Sequence, residues 1–126
     1  MRDDVKAWVQ KAEDDLMTAK ALLEFKKPIP WIICFHAQQA VEKFLKAFLV
    51  YNNVPIPKVH DIKQLILMCS RIDTEFKELL KIGIDRLTEY AVEARYPILF
   101  EPTLKEAREA VELAEKARNF VLKKLK

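Results

Sequence analysis

Apolar residues recur along this chain at three- and four-residue intervals, and the recurrence stops wherever prolines gather. That spacing predicts helices, and no segment carries the alternation of a strand. The widest apolar stripe lies between Trp31 and Asn53. At about 100° per residue, Ala37, Ala40, Val41, Phe44, Leu45, Ala47 and Phe48 share one side of a helix. His36, Gln38, Gln39, Glu42, Lys43 and Lys46 share the other. So broad and aromatic an apolar arc predicts a helix that packs against several neighbours at once. The polar side is either a solvated face or the lining of a cleft shared with a partner. Glu42 reaches Lys46 at i,i+4, and His36, Gln39, Lys43 and Lys46 follow at helical spacing.

The same pattern places a first helix from about Asp3 to Phe25, with Val5, Trp8, Val9, Ala12, Leu16, Ala19 and Leu23 inward. Asp15 falls inside that arc, where a carboxylate costs several kcal/mol (about 2–7 for even a neutral polar group) unless it is met by a donor. Lys43, Arg95 and Arg118 are the candidate cations. Pro30 opens the central helix and Asn52-Asn53, followed by Pro55 and Pro57, closes it. A short third helix is expected from about His60 to Cys69. A fourth is expected from Asp73 or Thr74 through Ala94, with Gly83 in the middle of its apolar stripe letting another backbone come close, and a weak point otherwise. Arg95-Tyr96-Pro97 forms a corner in a proline-bracketed loop. Thr103-Leu104-Lys105-Glu106 has the form of a capping box and opens a last helix to about Leu125. Arg118 lies inside the inward arc of that helix, mirroring Asp15. The expected fold is all-α, an up-and-down four-helix bundle with one additional short helix, in a single domain over 1–126. Ile32 and Phe35 fall on the exposed side of the central helix, where a monomer would leave them wet, so a dimer is expected.

Composition agrees with this. The 126 residues include one glycine and six prolines, so left-handed turns are few and connections stiff. A net charge of +3 gives little support for a nucleic-acid surface. Cys34 and Cys69 sit in apolar runs, as buried reduced thiols would. Met1-Arg2-Asp3-Asp4 leads straight into a helix, and Glu42, Lys43 and Lys46 interrupt the most apolar region. A cytoplasmic protein with no membrane span is expected.

Most site chemistries find no residues here. His36 and His60 have no partner at metal-ligand spacing, so no metal is expected. Gly83 stands alone, so there is no glycine-rich phosphate loop, and no cofactor is implied. Ser70 lacks the setting of a nucleophile.

Trp8, Ala12, Asp15-Leu16 and Ala19, followed by the block from Phe35 to Ala47 (FHAQQAVEKFLKA), resemble the HEPN domain, the "higher eukaryotes and prokaryotes nucleotide-binding" family. His60-Asp61-Ile62 and Arg95-Tyr96-Pro97 continue the match. The resemblance implies a helical bundle, commonly homodimeric, that partners a small nucleotidyltransferase in toxin–antitoxin or defence pairs, or binds a nucleotide. Its candidate binding residues are His36, Gln39, Glu42, Lys43, Lys46, Arg95 and Tyr96. Asp15 and Arg118 are the candidate buried polar groups. Many HEPN proteins are metal-independent ribonucleases, with an arginine followed four to six residues later by a histidine. Here no histidine follows Arg95, and no other arginine supplies the pattern. The family's catalytic residues are therefore not carried over, and a ribonuclease using His36 or His60 with Arg95 is the alternative.

Overall fold

The central helix earns its place from its width of apolar surface. In the computed structural model, which describes residues 1–93 and 101–126 (of 91–93 the backbone alone), α2 spans Pro30–Tyr51. It packs against four other helices: α1 (Asp3–Leu23), α3 (Ile62–Ser70), α5 (Thr88–Glu93) and α6 (Leu104–Lys124). Ile33, Ala37, Val41, Phe44, Leu45 and Phe48 lie in the core, with Leu16 and Ala19 of α1 and Ala107, Ala114 and Val121 of α6. The described residues are helical without a strand, as the apolar spacing requires.

Direction follows from the side chains that join the ends. Arg2, just ahead of α1, donates to the Asn53 side chain at 2.6 Å and to the Val50 carbonyl, so α1 and α2 run antiparallel. Asn53 takes φ 60°, the left-handed conformation asparagine tolerates best after glycine, and this turns the chain out of α2. Arg118 pairs with Glu13, and Lys20 with Glu115, so α6 is antiparallel to α1. Phe76 lies between Phe48 and Phe120, tilted against the first and edge-on to the second, at 4.3 and 5.0 Å between centroids, which puts the C-terminal ends of α2 and α6 together. Lys124 closes that end by bridging Asp73 and Glu75.

Capping explains the boundaries. Thr103 and Glu106 make the reciprocal hydrogen bonds of a capping box, at 3.1 and 3.0 Å. Asp61 caps α3 by accepting from the Lys63 amide, so that helix starts after His60 instead of on it. No helix among the described residues is long and apolar enough to cross a membrane.

The fourth helix departs from expectation. In place of one helix from 73 or 74 to 94, the chain makes a 3₁₀ turn at Thr74–Phe76, then α4 (Lys77–Lys81), a second 3₁₀ turn at Ile84–Leu87, and α5. The cause is Gly83, at φ 84°. A residue in that region cannot continue a right-handed helix, and it terminates α4 as a C-terminal glycine does. Apolar periodicity runs on through the break because Leu79, Ile84 and Leu87 are all still buried.

Gly83→Ala should destabilise the protein by about 1–2 kcal/mol, the cost of a side chain in left-handed backbone. The added Cβ would meet Arg86 Nε at 2.7 Å, but that side chain is long and can move. Gly83→Asn should cost visibly less, and urea denaturation of the two variants checks the order. Equal losses would mean that crowding and not φ sets the cost.

Candidate functional site

The polar side of α2 divides into two hydrogen-bonded groups, each assembled across a helix boundary. Along one line of α2, Gln38, Glu42 and Lys46 stand at i,i+4 steps. Gln38 Nε2 donates to Glu42 Oε2 at 2.9 Å, and Lys46 Nζ donates to Oε1 at 2.8 Å. From the connection before α3, His60 Nδ1 reaches the same Oε1 at 2.7 Å. Gln39 Nε2 extends the chain by donating to Gln38 Oε1. The Lys46 ammonium also lies 5.9 Å from the centre of the Trp8 ring on α1.

These groups are not a solvated face. Gln38, Glu42 and Lys46 are 0%, 4% and 7% exposed. Helical spacing puts them on the polar side correctly, but α1 and the segment leading into α3 close over that side. A buried carboxylate survives only when its lone pairs are met, and here three donors meet them. Burial disfavours its charged form, yet the bonds from Lys46, His60 and Gln38 outweigh this and hold the Glu42 carboxyl below its ordinary range.

The second group joins α1 to the next line of α2. Asp15 accepts from Lys43 Nζ at 2.5 Å and from His36 Nδ1 at 2.9 Å. Its side chain is 13% exposed, against 28% for each partner, so the pair lies at the rim and not in the core. Of the three candidate cations, Lys43 meets it. Arg118 is elsewhere: it is one-third exposed and forms a two-pronged pair with Glu13, at 2.5 and 3.1 Å. The apolar arc does not hold it as expected, because its long stem lets the guanidinium leave the arc and reach α1 at the surface. That contact raises its pKa. Arg95 and Tyr96 lie outside the described residues.

An ionised carboxylate only accepts, so Nδ1 of both histidines carries the proton. Nε2 then lies at the opposite end of each ring, where no protein group among the described residues meets it. The His60 side chain is 66% exposed. Sequence reasoning leaves it and Gln38 out of the binding set. A signal for Gln38 exists, since it stands one turn before Glu42 on the same line. His60 is eighteen residues from Glu42, and no helical spacing joins them.

The arrangement can therefore present two oriented imidazoles and one lysine along the accessible edge of α2, His60 held by the buried Glu42 and His36 and Lys43 by Asp15 of α1. Among the described residues no three His, Cys, Asp or Glu side chains converge as a metal site requires. Cys69 is inert, with burial pushing its thiol up to about 12.

A family model for the HEPN domain matches residues 5–125. This chain belongs to the HEPN domain family. The HEPN chain is 33% identical over 97 residues to "Putative toxin MJ1304" of Methanocaldococcus jannaschii. That match takes in 73% of this chain and 62% of the relative, so the chain spans less than two thirds of that protein's length. Its fold resembles the crystal structure of TT1696 from Thermus thermophilus, at TM-score 0.76 and 27% identity over 98% of this chain and all of that one. It also resembles ST0689, an archaeal HEPN homologue, at TM-score 0.70 and 24% identity, with both chains covered in full. The residues of the network lie within the matched HEPN region.

The two lysines should behave differently on removal. Lys46→Ala leaves Glu42 buried without its cation and should cost about 3–5 kcal/mol. Lys43→Ala leaves Asp15 at the rim with His36 still bonded and should cost about 1–2 kcal/mol. Thermal unfolding of the two variants at pH 7 measures the contrast. Similar losses would show that the burial difference does not govern their energetics.

Acid should act through Glu42. Its folded pKa lies below the ordinary 4.5, so the folded state binds fewer protons than the unfolded chain. The contribution is then present above pH 4.5 and lost as pH falls through the depressed value. Glu42→Gln should be less stable than wild type at pH 7, and the gap should narrow below pH 4.5. A gap that stays constant from pH 7 to 3 would contradict this.

Proposed function

We propose that this HEPN chain is a binding module of a toxin–antitoxin-type pair, acting as a homodimer that docks a small nucleotidyltransferase or a nucleotide. What carries this reading is the accessible edge of α2. His36, Lys43 and Gln39 stand there half-buried and His60 exposed, all held by bonds from beneath. Side chains fixed in this way lose little freedom on binding, which favours recognition over mere solvation. The relative bearing a toxin's name supports the pairing, and family membership supports the partner class. Exposed Trp31, Phe25 and Met17 give the protein apolar surface that a second copy would cover. Ile32 and Phe35, on which the sequence rests its expectation of a dimer, are half-buried within the protomer.

A specific observation favours one further reading. Both histidines are held at Nδ1 by a carboxylate, which leaves Nε2 as the unprotonated nitrogen that a general base needs. A metal-independent ribonuclease with a non-standard site would use that nitrogen.

Two measurements on the purified protein separate these. If a small nucleotidyltransferase gene adjoins its own, the chain mixed with that protein should elute as a stable complex on size exclusion. The double variant His36→Ala, Lys43→Gln should weaken that complex at least tenfold, with the protein still folded. Incubated with labelled RNA in a chelator, wild type should leave the RNA intact. Cleavage that disappears in His60→Asn would replace the first reading with the second.

A further inference from the structure

Trp8 stands at the rim of the network without being buried by it. It is half-buried on α1, packed against the core, with the Lys46 ammonium 5.9 Å from its centre. Beside it lies a shallow, apolar pocket lined by Ala7, Trp8, Lys11 and Lys43. Lys43 is shared with Asp15, so its charge is largely answered. Lys11 is exposed and makes no ion pair among the described residues. The pocket therefore combines a flat π surface, an apolar floor and one uncompensated cation at its edge. A flat apolar ligand carrying an anion matches all three.

We propose that the Trp8 pocket binds a nucleobase bearing a phosphate, with the base stacked on Trp8 and the phosphate at Lys11. This rests on the reading that the α2 edge takes a nucleotide, and it names the place and the contacts. Stacking on an indole accepts any base, so the pocket discriminates base from no base more strongly than one base from another. With Lys11 as its only uncompensated cation among the described residues, affinity is modest and falls with salt.

Equilibrium dialysis of the full chain tests it with three probes: adenosine 5′-monophosphate, ribose 5-phosphate and a six-residue oligoadenylate. Wild type should retain the nucleotide and not the sugar phosphate. Trp8→Leu should weaken retention roughly 5- to 150-fold, and Lys11→Glu roughly three- to tenfold. Lys11→Glu changes only an exposed side chain, so it decides the matter if Trp8→Leu fails to fold. Retention of the oligonucleotide alone, lost with the same substitutions, assigns the phosphate to an RNA strand instead of a free nucleotide. Equal retention of ribose 5-phosphate overturns the stacking. Failure to retain either nucleotide probe at millimolar concentration overturns the site. Nucleotide that stays bound in Trp8→Leu and Lys11→Glu but is lost in His36→Ala removes this pocket while leaving the broader reading intact.

Discussion

The inner network on the polar side of this bundle is built around one buried ion pair, Glu42 with Lys46. Burying two charges is costly, and their mutual attraction alone seldom compensates. The fold compensates with further donors: Gln38 one turn before, and His60 from outside the helix. Those donors fix geometry as well as energy. Gln38 locks the rotamer from within α2, and His60 ties the connection before α3 to the same oxygen that Lys46 uses. A shift of that connection by a few ångströms would take one of the three donors from a buried carboxylate. The pair thus sets the register of its surroundings.

The same pair reaches the rim through its cation. Lys46 lies against Trp8, and Trp8 sits on the same helix as Asp15, whose carboxylate takes Lys43 and His36. α1 is consequently attached to α2 by polar contacts at two levels, one inside and one near the surface, in addition to the apolar seam. Antiparallel packing makes this possible: residues early in α1 face residues late in α2, so position 8 meets 46 and position 15 meets 43 and 36. The order along both helices is consistent.

The apolar half of this is legible in the sequence, and much of the polar half is not. Apolar periodicity names the core because burial of Val41, Phe44 and Phe48 requires only that their helix face its neighbours. Thr103 with Glu106 announces a helix start because both partners of a capping box lie within four residues. Gly83 is visible as a weak point, but whether a glycine bends a helix or ends it depends on its φ, which tertiary packing decides. That Asp15 needs a cation is evident, since its place inside an apolar arc is a local fact; which cation meets it is not. Burial of Glu42 and Lys46 escapes sequence reasoning for a similar reason. A polar stripe reads as a surface until another element covers it, and nothing in residues 54–61 declares that they lie over position 42.

That distinction has a consequence for how function must be assigned here. Glu42 and Lys46 are joined to the accessible edge through Gln38, Gln39 and His60, so replacing either would disturb any binding that His60 or Gln39 performs. Loss of binding in such a variant would not place Glu42 or Lys46 in contact with a ligand. Only residues whose side chains reach solvent, His36, Lys43, His60 and Lys11 among them, can touch an incoming molecule without the bundle opening. The buried pair positions and the edge contacts. The two roles separate because stability follows the pair, while affinity at unchanged stability follows the edge.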